Sequence, residues 1–138
     1  KNQLLFGHIS TLVFGGLIYI LFRANSLLMF DWFHDLSLGH TINSLRNVVS
    51  SLRVYLPSWF LFSFPDGLWV FSYVSLMLLI WGNKLHIQSV FWILIVPFIA
   101  LGSELAQYVG YITGTFDITD VVFYVLGTII PILLYVRK

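Results

Sequence analysis

Cysteine is absent from this chain, and charged side chains are scarce. The absence of cysteine excludes disulfide bonds and thiolate metal sites, and it removes the usual indicator of redox compartment. Charged residues make up 9% of the chain, against about 25% in an average soluble domain. The formal net charge is +1 and no run of basic residues occurs, so the chain lacks the electrostatic signature of a nucleic-acid-binding protein.

Apolar residues take the place of the missing charge. Hydrophobic residues account for 59% of the sequence and aromatic residues for 18%, whereas an ordinary domain is about 45–50% apolar. This composition predicts a membrane protein, and the length predicts one domain over residues 1–138. Because the first residue is Lys1 rather than methionine, we expect either a processed chain or a fragment that lacks an upstream part.

Four apolar runs are candidates for membrane-spanning helices. They cover residues 4–22, 68–82, 87–106 and 120–136. About 20 apolar residues cross the ~30 Å hydrocarbon core, and the first run is too long for the h-region of an ordinary signal peptide. The second run is short, so we expect Asp66 and Trp69 to lie near the membrane interface. His8, inside the first run, is expected either to hydrogen-bond a neighbouring helix or to act as a ligand or proton relay.

The loop between the first two runs is too polar to span a bilayer throughout and too apolar for an ordinary loop. Residues 42–56 alternate with helical periodicity between apolar and polar side chains, which predicts an amphipathic helix. This helix either lies in the membrane surface, with Arg46 and Arg53 toward lipid phosphates, or packs on the spans. Residues 58–64 lie between two prolines and are too few to cross the bilayer, so we predict a re-entrant or interfacial segment.

Several carboxylates stand at predicted helix ends. Asp66 is expected to cap the second span, because its carboxylate can accept from free amides of the first turn. Either Asp117 or Thr119 is expected to cap the fourth span, with Asp120 in its first turn. These residues can therefore be ordinary structural caps.

The number of spans decides where the acidic residues fall. With four spans, the long first loop and the third loop share one side of the membrane. All six acidic residues then lie on that side: Asp31, Asp35, Asp66, Glu104, Asp117 and Asp120. Lysine and arginine favour the opposite side by four to three, which predicts cytoplasmic termini and outward-facing carboxylates. We therefore predict a carboxylate cluster at one end of a four-helix bundle.

Two interpretations of this cluster remain open. Glu104 and Gln107 share a helical face and can satisfy each other or nearby backbone, as structural residues would. Alternatively, the carboxylates form a polar pocket that holds a cation. No spacing is diagnostic of a metal, so metal binding stays undetermined. The sequence has no nucleophile elbow, phosphate-binding loop or dinucleotide fingerprint, so we predict no cofactor and do not favour an enzyme.

Short motifs in the second half of the chain resemble the VanZ-like family of small bacterial membrane proteins. They are Glu104-x-x-Gln107, the segment from Phe116 to Asp120, and Gly127, with Asp66 where that family carries its first acidic motif. Three positions depart from the family pattern: Gly114-Thr115 replaces an arginine, Tyr124 replaces an asparagine, and Gly67 to Val70 replace a segment with lysine and histidine. The resemblance implies a multi-span helical fold in the bacterial cytoplasmic (inner) membrane and an envelope role, which in the namesake is low-level glycopeptide resistance.

These observations predict an all-α membrane protein with four transmembrane helices plus an interfacial amphipathic helix in the first loop. The expected partners are the lipid bilayer and either a lipid-linked envelope precursor or a membrane protein. The candidate ligand-binding residues are Asp66, Trp69, Glu104, Gln107, Asp117 and Asp120. The alternative functions are an accessory subunit of a larger membrane complex, or an intramembrane enzyme or ion-coupled transporter.

Overall fold

The computed structural model describes residues 2–136, which form helices and no strands. The α-helices are α1 (Asn2–Phe22), α2 (Leu28–Asp35), α3 (Gly39–Val49), α4 (Ser58–Ile80), α5 (Ile87–Tyr108) and α6 (Ile118–Tyr135), and a 3₁₀ helix (Ser50–Val54) follows α3. Helices α1, α4, α5 and α6 are long and apolar enough to cross a membrane. The predicted all-α fold with four candidate transmembrane helices is confirmed, and the architecture is that of a multi-pass membrane protein.

Helix α4 is the centre of the bundle and packs mainly against α1 and α6. Its contacts pair the late part of α4 with the early part of α1, and the early part of α4 with the end of α1. His8 Nδ1 hydrogen-bonds Ser72 Oγ at 2.7 Å, and Arg23 reaches Asp66, so the two helices are antiparallel. The interpretation of His8 as a residue that bonds a neighbouring helix is confirmed by this contact.

Helix α6 runs parallel to α4 and approaches it very closely. Ser63 pairs with Thr119 at one end, and Asn83 donates to the Tyr135 carbonyl at the other. Between these contacts, a Cβ on Gly67 would lie 2.8 Å from the Cβ of Phe123, and one on Gly127 would overlap the Gly67 carbonyl oxygen. Small residues let two membrane helices meet backbone to backbone, and the van der Waals contact holds them together.

Helix α4 begins earlier than the sequence predicted. It starts at Ser58 rather than near residue 68, so the predicted re-entrant segment at 58–64 is wrong. Asp66 lies inside the helix and not at its start, so its predicted role as a cap is wrong too. Pro65 removes one backbone hydrogen bond, but a full helix break in lipid would leave more groups unpaired. The helix therefore continues through the proline, which is fully buried.

The first loop folds back onto the ends of α1 and α4. The amphipathic helix predicted over 42–56 is α3 followed by the 3₁₀ helix. Val49 and Leu56 pack on a core cluster of Ile18, Phe22 and Leu61. The leucines and valines of the neighbouring face stay exposed: Leu45, Val48 and Leu52. The helix thus packs on the spans along one side and leaves an apolar stripe uncovered along another.

The remaining helix ends lie near their predicted positions. Helix α5 starts at Ile87, as predicted, after a turn in which Gly82 and Asn83 adopt positive φ. Helix α6 starts at Ile118, two residues earlier than predicted, and is described to Tyr135. Lys1, Arg137 and Lys138, which enter the predicted charge count, lie outside the described residues.

The close approach of α4 and α6 predicts that Gly127→Ala destabilises the protein by about 1–3 kcal/mol, because the new methyl group forces two backbones apart. Thermal unfolding followed by circular dichroism in detergent micelles measures this loss. Gly102→Ala is the matched control: Gly102 is also helical, but a Cβ there meets nothing within 4 Å. It should be neutral or slightly stabilising. Equal melting temperatures for Gly127→Ala and wild type would contradict the close approach.

Candidate functional site

Three carboxylates from three helices converge at the end of the bundle where α1 finishes. Asp66 comes from α4, Glu104 from the last turns of α5 and Asp120 from the first turn of α6. Asp66 lies close enough to both other carboxylates to interact with them electrostatically. The predicted gathering of these three residues at one end is therefore present.

Arg23, the residue after α1, is the basic partner of this group. Its Nη2 donates to Asp66 Oδ2 at 3.4 Å and to the Phe62 carbonyl at 3.1 Å. The guanidinium also lies 4.9 Å from the ring centroid of Tyr19, within cation–π range. Within the described part of the chain, the buried Nε atom of Arg23 has no hydrogen-bond partner. Arg23 directly follows the first apolar run, and its partner Asp66 is 43 residues away, so the sequence pattern does not reveal the pair.

Tyr124 is a second member of the site outside the predicted ligand-binding residues. It lies one helical turn after Asp120 and is partly buried. It lies within electrostatic range of Arg23 and of all three carboxylates. The four-residue spacing from Asp120 places both on one helical face and could have identified it. We call Asp66, Glu104, Asp120, Arg23 and Tyr124 the acidic cluster.

Glu104 is the buried carboxylate of this cluster, and Asp120 is partly buried. Glu104 is only 4% exposed, and its Oε2 accepts a hydrogen bond from the Asp117 amide at 3.3 Å. The Oδ1 atom of Asp120 is buried and has no hydrogen-bond partner among residues 2–136. A buried carboxylate oxygen without a donor is costly, so this atom marks the place where the cluster lacks a partner.

Asp117 serves as the cap of α6. Its Oδ1 accepts from the amide and the hydroxyl of Thr119, both at 2.8 Å. Because the Thr119 hydroxyl donates to Asp117, it accepts from Ser63 in their 2.7 Å contact. Of the two predicted caps, Asp117 is therefore the correct one. These hydrogen bonds, from the Thr119 amide first and its hydroxyl second, hold the pKa of Asp117 below its ordinary value.

Gln107 and Trp69 lie next to the acidic cluster rather than in it. Gln107 packs under the α5–α6 loop, where a Cβ on Gly114 would lie 2.7 Å from its side-chain nitrogen. Trp69 lies between α1 and α4, with its ring 4.9 Å from that of Tyr19. Three of the six predicted site residues therefore belong to the acidic cluster. The other three lie beside it: Trp69, Gln107 and Asp117.

Arg46 does not extend toward lipid phosphates as predicted. Its guanidinium turns inward and donates to the carbonyls of Ile20 and Arg23, the latter at 2.6 Å. These carbonyls stand at the end of α1, where they have no helical donor, and they bind the Arg46 guanidinium in place of the predicted lipid phosphates. Arg53 is exposed, and its lipid-phosphate role stays a prediction.

Metal coordination does not fit the acidic cluster. Within residues 2–136, no three or more histidine, aspartate or glutamate side chains are arranged to hold a metal ion. Arg23 already occupies one oxygen of Asp66, and the Asp117 amide binds one oxygen of Glu104. What the cluster offers is excess negative charge and hydrogen-bond acceptors.

Comparison with known proteins adds no relative to this description. No family model, curated protein or solved structure matches this chain. The function must therefore be argued from the geometry of the acidic cluster and from the fold that positions it.

The cap geometry predicts that Asp117→Ala costs about 1 kcal/mol of stability at neutral pH. Since folding lowers the pKa of Asp117, its contribution is fully present above the ordinary carboxyl pKa of about 4. It is lost as the pH falls through the lower folded-state value. Melting temperatures of variant and wild type should therefore converge in strong acid. Asp35→Ala, which removes an exposed carboxylate at the end of α2, is the control and should cost little stability at neutral pH. A constant difference at all pH values would contradict the cap.

Proposed function

We propose that this chain is an integral membrane protein whose acidic cluster binds an amine-bearing headgroup, carried by a membrane lipid or a lipid-linked envelope component. Three carboxylates face one guanidinium in the cluster, so a cation is the complementary ligand. A protonated amine supplies both positive charge and hydrogen-bond donors, and charge-assisted hydrogen bonds are about twice as strong as neutral ones.

The single observation that carries this proposal is the buried, unpartnered Oδ1 of Asp120. It lies near the almost fully buried Glu104 at the end of an apolar bundle, where ionisable groups are costly. Asp120 is not needed to cap α6, because Asp117 caps that helix. An ammonium group seated between the two carboxylates would provide the missing donor.

The likeness of the motifs to the VanZ-like family supports an envelope role of the same kind. In this proposal the protein is multi-pass in the bacterial cytoplasmic membrane, with both termini cytoplasmic and the acidic cluster facing outward. The family's arginine before the Phe116-Asp117 pair is absent here. Arg23, directly after α1, provides a guanidinium beside Asp66 instead, and we propose that it takes over that part of the site.

We expect the purified protein to retain phosphatidylethanolamine over phosphatidylglycerol from mixed micelles, measured as bound lipid by native mass spectrometry. Phosphatidylethanol, which differs from phosphatidylethanolamine only by lacking the amine, should not be retained. Asp120→Asn and Glu104→Gln should each reduce the preference about tenfold, because each removes a charge-assisted contact.

Asp35→Asn is the matched control for this experiment, because it removes an exposed carboxylate on α2 while leaving the acidic cluster intact. It should bind as the wild type does. Equal retention of the three lipids by the wild type would overturn the proposal. So would an undiminished preference in the Asp120→Asn, Glu104→Gln double variant that still folds.

A second candidate function, an accessory subunit of a larger membrane complex, is favoured by the outer face of α5. This helix packs less than α1 or α6 against α4. Its outer face forms an apolar groove of about 790 Å³ that lies toward the opposite end of the bundle from the acidic cluster. The groove is lined by residues from Leu85 to Ile99. A partner helix in this groove would complete the packing of α5.

For this second candidate, we expect gentle detergent extraction to yield a complex heavier than the monomer. Phe98→Ala should dissociate it, since Phe98 lines the groove and is 68% exposed. Leu133→Ala, which removes an exposed apolar side chain from α6 outside the groove, should leave the complex intact. Mass photometry distinguishes these outcomes, and a lone monomer from the native membrane would count against an accessory role.

A further inference from the structure

The carbonyl end of α1 lies directly beside the acidic cluster and is held by a side chain from another helix. The last carbonyls of any α-helix lack intrahelical donors and must find partners elsewhere. Here Arg46 of α3 donates to the carbonyls of Ile20 and Arg23. A cation at this position also complements the negative end of the helix dipole. The Arg46 guanidinium therefore caps the C-terminal end of α1.

Arg46 ties the first loop to this point as well. Its guanidinium lies 4.7 Å from the ring centroid of Phe30 on α2, within cation–π range. Helix α3 packs on both α1 and α2. The planar fork of arginine lets one side chain bind two carbonyls and stack on a ring, which lysine cannot reproduce.

Arg23 connects the Arg46 contact to the acidic cluster. Its backbone carbonyl accepts from Arg46, while its guanidinium donates to Asp66 and to the Phe62 carbonyl. The Arg23 amide donates to the Tyr19 carbonyl at 3.1 Å, as in a continuing helix. Its own carbonyl follows the last residue of α1 and is bound by Arg46, which adds a second restraint on the Arg23 backbone.

We propose that Arg46 is a positioning residue for the acidic cluster: it fixes the backbone of Arg23 so that the Arg23 guanidinium stays on Asp66. The first loop thereby controls how much negative charge the cluster presents. Without Arg46, the end of α1 loosens, Arg23 leaves Asp66 for part of the time, and Asp66 becomes available to a cation. The ligand-related part of this inference rests on the proposed function, whereas the mechanical coupling does not.

A double-mutant cycle tests the coupling without any ligand. Unfolding equilibrium constants are measured by titrating sodium dodecyl sulfate into micelles of wild type, Arg46→Gln, Asp66→Asn and the double variant. Arg46→Gln should raise the unfolding constant about tenfold in the wild-type background, because it removes charge-assisted hydrogen bonds. In the Asp66→Asn background, Arg46→Gln should raise the unfolding constant only about threefold, since the Arg23–Asp66 ion pair that Arg46 supports is already absent.

Arg53→Gln is the matched control, because Arg53 is an exposed arginine in the 3₁₀ helix that follows α3. Its effect should be small and the same in both Asp66 backgrounds. Arg46 and Asp66 are not in contact, so a role confined to closing α1 predicts additive effects. Additivity of Arg46→Gln and Asp66→Asn would therefore overturn the proposal. If Arg46→Gln does not fold, Arg46→Lys carries the same cycle, with a smaller coupling because lysine has no fork.

The lipid-retention measurement separates this inference from the proposed function. If both hold, Arg46→Gln should raise the preference for phosphatidylethanolamine severalfold, because Arg23 no longer competes for Asp66. If Arg46 and Asp66 are coupled in the cycle but the wild type shows no amine preference, the proposed function is wrong and the role of Arg46 is kept. If the wild type prefers the amine lipid but the cycle is additive, the role of Arg46 is wrong and the proposed function is kept.

Discussion

The backbone contact between Gly67 and Gly127 is the constraint on which the rest of the structure depends. With no Cβ on either residue, α4 and α6 approach until the Gly67 carbonyl meets the α-carbon of Gly127. That contact sets the axial register of two parallel helices. Asp66 immediately precedes Gly67, and Tyr124 and Asp120 precede Gly127 by about one and two turns. The crossing therefore places Tyr124 near the level of Asp66, with Asp120 one turn further toward the end of the bundle, and any shift of register would change these separations.

The electrostatics of the acidic cluster follow from this packing. An apolar bundle in lipid offers little solvation, so each charge needs a partner from the protein or from a ligand. Asp66 has Arg23, and Glu104 has the amide of Asp117. Asp120 retains one buried oxygen without a donor. The charges of the acidic cluster are thus only partly neutralised, and the excess negative charge lies at Asp120. This excess is the physical basis for expecting a cationic group there.

The end of α1 connects the first loop to that balance. Arg46 binds carbonyls that a helix end must leave free, and Arg23 carries the connection on to Asp66. The side of α3 that packs on the spans is therefore not purely apolar, because an arginine occupies its middle. Elsewhere the bundle relies on short polar contacts between apolar helices, such as His8 with Ser72 and Ser63 with Thr119. Such bonds fix rotation and register where lipid-like surfaces alone would allow sliding.

The sequence alone was sufficient for features that depend on local pattern. Apolar run length identified four spans, and their even number placed Asp66, Glu104 and Asp120 at one end without knowledge of any contact. The cap at Asp117 followed from a carboxylate just before an apolar run, and structure only chose it over Thr119. Tertiary structure decided what depends on pairs of residues far apart in the chain. It carried α4 through Pro65, because neighbouring helices bury that turn, and it paired Arg23 with Asp66, 43 residues away. It also turned Arg46 toward α1, 23 residues from the carbonyl of Arg23. Hydrophobic periodicity reports which face of a helix is buried but not which helix covers it, so the partners of the buried charges could not be assigned before the helices were packed.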